Sequence, residues 1–183
     1  MGEAKNIVNN IKVGNAIFNC GNYNNLEKSL IKHLKSKNIS YYSCIKELNL
    51  SSYKLQFLTT KVYDNENDNS NVIYLKYNNY KFLFMGDAGI DKEKDILEKY
   101  NLKDIDVLKV GHHGSNTSSS KTFIDHINPK YSVISVGKNN RYGHPNREVL
   151  NNLVNTKVYR TDQEDSIMFK IKKDKLQIET CSP

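Results

Sequence analysis

At 183 residues the chain is long enough for one domain with a sizeable core. With 38% hydrophobic and 10% aromatic residues and no tryptophan, its composition is lean but excludes a disordered chain. A net charge of +7, carried far more by lysine than arginine, attracts phosphate-rich partners in general; no basic block marks out a nucleic-acid groove.

From the N-terminus, Ala4, Ile7, Val8 and Ile11 recur at helical spacing and predict a helix over 3–12, followed by a short strand over 16–18. Leu26, Leu30, Ile31 and Leu34 give a second helix, over about 24–37, an apolar face that His33 borders. Strands are predicted over 41–45 and 53–58, then a polar loop over 64–69. A strand over 71–77 reaches Asn78-Asn79, a tight hairpin turn because asparagine tolerates positive φ. The next strand, 80–85, runs into Gly86-Asp87. A helix over about 91–100 carries Ile96, Leu97 and Tyr100, and 105–110 is a nearly continuous apolar strand. The helix over 118–127 presents Phe123, Ile124 and Ile127 and stops before Pro129, after which 131–136 reads as another buried strand. Val149, Leu150, Leu153 and Val154 mark a last helical face, and strands follow near 157–160, 166–172 and 175–179. Without a repeat or linker, this reads as a single α/β domain over 1–183, its middle strands apolar on both faces and so covered by helices.

Cys20, Cys44 and Cys181 are odd in number and contain no C-x-x-C pair. That excludes a disulfide framework and a cysteine-type zinc site, and leaves a single Cys20–Cys44 bridge open. No apolar run approaches the roughly 18 residues needed to span a bilayer, and the first ten residues carry no signal-peptide core. The compartment is left open.

Three polar clusters sit where buried strands end: Gly86-Asp87, then Gly111-His112-His113-Gly114-Ser115, then Tyr142-Gly143-His144-Pro145. Strand ends are where an α/β scaffold converges distant residues into one cleft. A carboxylate with two or three imidazoles suits Zn or Mn. Each cluster alone is bland, a turn or a loop; the three together predict a metal site. Adjacent residues in extended chain point opposite ways, so His112 and His113 are not expected to serve one ion equally, and which of them ligates stays open. The run Ser115-Asn116-Thr117-Ser118-Ser119-Ser120 enters a helix, where hydroxyls cap and, with free N–H groups, can hold a phosphate oxygen.

The stretches NSNVIYLKYNNYKFLFMGDAG, DVLKVGHHGSNTSSS, YSVISVGKNNRYGHPNREVL and VYRTDQEDSI resemble the metallo-β-lactamase-fold hydrolase domain of ComEC-type DNA-internalisation (competence) proteins, from about 71 to 171, and equally its free-standing relatives. The resemblance implies an αββα sandwich with a divalent metal centre, hydrolysing phosphodiesters, with DNA as the proposed substrate; such proteins can be membrane-attached. It implies Asp87, His112 and His113 as catalytic residues, and Asp87, one of the paired histidines, and His144 as ligands, Asp87 bridging two cations. It matches Ser115, Ser118 and Ser119 to the family's hydroxyl positions and Asn139 to a frequent polar position, these four taken as substrate-binding, and it matches Asn71 to a frequent polar position without an assigned role. The family's H-x-H-x-D-H motif is absent, Thr59-Thr60 stand where His-Pro is frequent, and Asp165 where glycine is common. The expectation is therefore a domain lacking its N-terminal strands and first ligand motif, with Met1-Gly2-Glu3-Ala4 directly following that motif in a longer reading frame. Such a chain is expected to hold at most one weakly bound metal and to be weakly active or inactive. Two rivals stand beside it: a non-catalytic basic scaffold or nucleic-acid-binding module, and a hydrolase of small phosphoesters.

Overall fold

The computed structural model describes residues 3–181; Met1 and Gly2, read above as the remnant following a ligand motif, lie outside the described residues. The chain divides into two compact units, residues 1–45 and 46–183.

The first unit is a βαβ element with a leading helix: α1 (Ala4–Asn10), β1 (Asn15–Phe18), α2 (Asn25–Ser36) and β2 (Ser40–Ser43), the strands pairing in parallel. Parallel pairing needs a crossover, and α2 supplies it. Its start is fixed by a capping box: Asn24 accepts from the Glu27 amide at 3.0 Å, and the Glu27 carboxylate accepts from the Asn24 amide at 2.7 Å. Phe18, Leu30 and Leu34 form a small core, with Tyr23 and Tyr41 against the Phe18 ring. A Cys20–Cys44 disulfide ties the loops following the two strands, closing the possibility that the spacing left open.

The second unit is built on a seven-stranded sheet in sequence order: β3 (Glu47–Asn49), β4 (Lys54–Phe57), β5 (Ile73–Tyr77), β6 (Tyr80–Phe84), β7 (Val107–Lys109), β8 (Tyr131–Ile134) and β9 (Lys157–Arg160). From β3 to β6 neighbours are antiparallel, the β5–β6 hairpin turning at Asn78 with φ +51°. From β6 to β9 they are parallel. The crossovers are α3 (Ile90–Lys99), α4 (Lys121–Ile127) and α5 (Arg147–Asn152), and a uniform right-handed sense sends all three to one face. Ile96, Phe123, Ile127, Val149 and Leu153 from these helices share one core with Leu83, Leu108 and Ile134 of the strands. Each such fully buried side chain contributes about 1.5–3 kcal/mol.

Strand alternation turns Phe82, Val107 and Tyr131, which lie in one register row, to the opposite face. There the hairpin of β10 (Ser166–Lys172) and β11 (Lys175–Cys181), after a short helix α6 (Thr161–Glu164), packs Phe169 against Tyr131 and Tyr159. Four elements were not in the sequence reading: β3, α6, and 3-10 turns over Glu66–Asn69, inside the polar loop, and over Gly111–Gly114. All are four residues or shorter, below the length at which periodicity gives a signal.

Parallel pairing has one consequence for function. The C-terminal ends of β6, β7 and β8 leave the sheet at the same edge, and the loops that follow them carry Asp87, His112-His113 and His144.

Candidate metal centre

Asp87 follows β6 on a tight turn. Gly86 takes φ +60°, and a Cβ there would stand 3.0 Å from Ser70 Cβ, so only glycine lets the chain turn against that residue. The Asp87 amide donates to Ser70 Oγ at 3.1 Å, and the Gly89 amide to the buried Asp68 carboxylate at 2.7 Å. Held by its backbone on both sides, the Asp87 carboxylate itself stays half exposed.

After β7 the backbone does something rarer. His112 (φ +44°, ψ +42°) and His113 (φ +55°, ψ +22°) are consecutive left-handed residues, at a cost of roughly 1–2 kcal/mol each. The expectation that the pair lies in extended chain is therefore corrected: the histidines form a tight turn, and the turn sends their rings to different neighbours. Several bonds enforce it. His112 N–H donates to Gly86 O at 2.9 Å, Ser118 Oγ donates to Gly111 O at 3.0 Å and Ser115 O at 3.1 Å, and Asn146 N–H donates to Gly114 O at 2.8 Å. These bonds hold the pair in its left-handed conformation against that cost.

His113 Nδ1 lies 2.7 Å from Ser135 O. A carbonyl can only accept, so Nδ1 carries a proton, and in the neutral ring Nε2 then presents its lone pair, the tautomer of a metal-ligating histidine. That Nε2 lies 4.0 Å from Asp87 Oδ1, at the roughly 4.0–4.3 Å limit of two collinear bonds to one ion and longer than the roughly 3.3 Å between two ligands of a tetrahedral ion, so the pair must close slightly to share one. His112 turns the other way: its Nδ1 lies 3.3 Å from Thr117 Oγ1, itself 3.0 Å from Ser115 Oγ, and its ring meets His144 edge to face at 6.0 Å. His144 is positioned by Asn140, whose side chain accepts from the His144 amide at 2.9 Å and donates to the His144 carbonyl at 2.7 Å. Burial, and then the nearby His112 and His113, lower the His144 imidazole pKa from its ordinary value.

The structure places the other expected residues less favourably for contact with substrate. Ser118 and Ser119 are each only 2% exposed, and Ser115 is 6% exposed. The amides of Ser119 and Ser120 and the Ser120 hydroxyl all donate to the buried Glu93 carboxylate of α3, where the sequence reading put a phosphate. The start of α4 is thus filled from within, and these serines hold the loop instead. Asn139 is exposed at φ +55°; the clamp on the loop is its neighbour Asn140.

Sequence reasoning missed Asn140, Glu93 and Lys109. Glu93 sits in the same i, i+3, i+4, i+7 stripe as Ile96, Leu97 and Tyr100, and a carboxylate in an apolar stripe is a legible signal of a buried acceptor. Lys109 ends β7; burial pushes its ammonium pKa down, and the charge of the nearby Asp87 opposes that shift.

Asp87, the histidines and a cavity of about 390 Å³ lined by His113, Tyr142 and His144 thus meet at one edge. The donor chemistry suits Zn or Mn. The set is nevertheless incomplete: among the described residues no group of three or more His, Cys, Asp or Glu is placed to hold a metal ion. The Asp87–His113 pair is what this chain itself provides.

Residues 45–138, about half of the chain, match the metallo-beta-lactamase superfamily, and a mixed sheet with helices packed on it is in keeping with that match; the chain belongs to this superfamily. It is 38% identical to ComE operon protein 3 of Bacillus subtilis (strain 168) over 109 residues, 58% of this chain and 14% of that protein. It is 37% identical to competence protein ComA of Neisseria gonorrhoeae over 108 residues, 57% of this chain and 16% of that protein. Recombination protein 2 of Haemophilus influenzae is 32% identical over 116 residues, 62% of this chain and 14% of that protein. The chain thus spans less than a fifth of the length of these relatives. Among the described residues no helix is long and apolar enough to cross a membrane.

Proposed function

We propose that this chain contributes the Asp87–His113–His144 edge of a divalent-metal phosphodiester hydrolase acting on DNA, in the setting of DNA uptake that the names of two relatives, competence protein ComA and ComE operon protein 3, suggest. The observation that carries the reading is His113: its Nδ1 is fixed by Ser135 O and its Nε2 is directed at Asp87 across 4.0 Å. Asp87 and His113 hold a Zn or Mn ion in this reading, with His144 and His112 beside it. A bound divalent cation supplies Lewis acidity and an acidified water for attack on phosphorus. The chain's own contribution is to orient the two donors, to hold His144 in place through Asn140, and to fix the Asp87 backbone through Ser70 and Asp68.

With only two donors in reach, this chain by itself binds the cation weakly and turns over slowly. The Cys20–Cys44 disulfide fits work in an oxidising, extracytoplasmic compartment.

The test compares hydrolysis of single-stranded DNA and of a small chromogenic diester, with Mn²⁺ and with chelator, in the wild-type chain and Asp87→Ala. Weak Mn²⁺-dependent cleavage of DNA that Asp87→Ala abolishes supports the proposal. Chelator-resistant DNA binding with no cleavage would give the scaffold reading instead, and cleavage of the small ester alone would give a small-phosphoester hydrolase.

A further inference from the structure

We propose that the cavity beside His113 and His144 receives one unpaired nucleobase of a single-stranded nucleic acid, laid against Tyr142, so that the site prefers single strands to duplex. The inference rests on the phosphodiester reading above and names the substrate class of that same edge.

The cavity, about 390 Å³, lies within the roughly 300–1,000 Å³ range of pockets that take small organic groups. Its polar lining is already engaged. Ser135 O is taken by His113 Nδ1. Thr161 Oγ1 accepts from Val136 N–H at 2.7 Å and donates to Val136 O at 2.8 Å. The Asn140 amide is spent on His144 and on Gly137 O. What the cavity still offers is flat and apolar. The rings of Tyr142 and His144 stack at 5.8 Å and 26°, and a Cβ on Gly137 would meet nothing within 4 Å. Such a surface recognises a planar ring by stacking and not by a donor–acceptor code, and it tolerates any base sequence.

Tyr142 is 66% exposed, so its ring is accessible to a ligand from solvent. Gly143, at φ +67°, folds the chain between Tyr142 and His144. Arg141 donates to the Tyr142 hydroxyl at 2.7 Å with its guanidinium carbon 4.9 Å from the ring centroid. Among the described residues it makes no ion pair, so its charge is available to the phosphate beside the stacked base. In a duplex the bases are stacked inside the helix and do not reach a side cavity without being flipped out.

The chain has no tryptophan, so Tyr142→Trp makes a protein with one indole, at the proposed stacking surface. The measurement is its fluorescence at low salt in chelator, titrated with a mixed-sequence single-stranded oligodeoxynucleotide, an abasic strand of equal length, and a blunt duplex, with anisotropy of the labelled strands in parallel. Chelator removes catalysis, so this outcome is independent of whether the hydrolase reading stands. Expected are quenching by the single strand, little by the duplex and none by the abasic strand. Gly137→Leu, which fills the cavity, should remove the quenching but keep salt-sensitive binding. Tyr142→Ala should weaken single-strand binding roughly five- to hundredfold, the range of one aromatic stacking contact. Equal quenching by the abasic strand, quenching that survives Gly137→Leu, or no quenching at all would each overturn the proposal.

Discussion

Two neighbouring histidines in left-handed backbone, one with its tautomer set by a carbonyl, do most to define this edge. Because only His113 Nε2 is directed at Asp87, the two histidines should differ. His113→Ala should lower Mn²⁺ affinity by about tenfold or more, and His112→Ala, whose ring is turned to Thr117, by distinctly less; outer partners of metal sites are worth about 10–100-fold, and a direct ligand at least that. Titration calorimetry on the two variants decides it, and equal losses would remove the distinction. The glycines make an equally sharp pair. A Cβ on Gly114, at φ +81°, would stand 2.6 Å from Pro145 Cβ, whereas one on Gly137 meets nothing within 4 Å. In chemical denaturation Gly114→Ala should cost about 2–4 kcal/mol, from left-handed strain and overpacking. Gly137→Ala should stay within about 0.5 kcal/mol of wild type. At this scale the sequence revealed Asp87, the paired histidines and His144 as a cluster. It could not reveal which histidine meets Asp87, because that depends on a left-handed turn set by Gly86 O and the Ser118 hydroxyl, not on alternation along a strand.

The elements were legible wherever periodicity ran long enough: the β5–β6 hairpin, α2, and the apolar strands β7 and β8 all lie where their patterns put them. The start of α4 was not. It begins at Lys121 because Ser119 takes φ +58°, and the Glu93 carboxylate, not a ligand, accepts from the amides before it. Nothing local to the serine run announces a carboxylate arriving from α3. Burial raises the Glu93 pKa above the ordinary glutamate value, and the hydrogen bonds from Ser120 and Ser119 only partly oppose it. A carboxyl that holds its proton more tightly when folded lends its full stability below the unfolded pKa. That contribution is lost as pH rises through the folded pKa. Stability of the wild type relative to Glu93→Gln should therefore be greatest at acid pH and decline as pH rises through that window, measured by denaturant unfolding across a pH series. The opposite slope would mean that the serine donors outweigh burial and hold the carboxylate ionised.

For the whole molecule, the α/β class and the covered middle strands were readable from apolar strands separated by helical stripes. The division into two compact units was not, since no change of composition marks residue 45. The first unit has a small core and one disulfide joining residues 24 apart, a linkage worth about 3–4 kcal/mol by loop-closure entropy. Reduction should therefore lower the thermal transition of the residues 1–45 unit while leaving that of the larger unit nearly unchanged, which amide exchange with and without reductant resolves residue by residue. Among the described residues Asp87 and His113 approach to 4.0 Å, and no group of three or more His, Cys, Asp or Glu is placed to hold a metal ion. The central claim is that this pair is a metal site. Its most direct test is an anomalous difference map from crystals of the chain soaked in Mn²⁺. The account predicts a peak within about 2.0–2.4 Å of both Asp87 Oδ1 and His113 Nε2, lost in Asp87→Ala. A peak elsewhere, or none at saturating Mn²⁺, would contradict it.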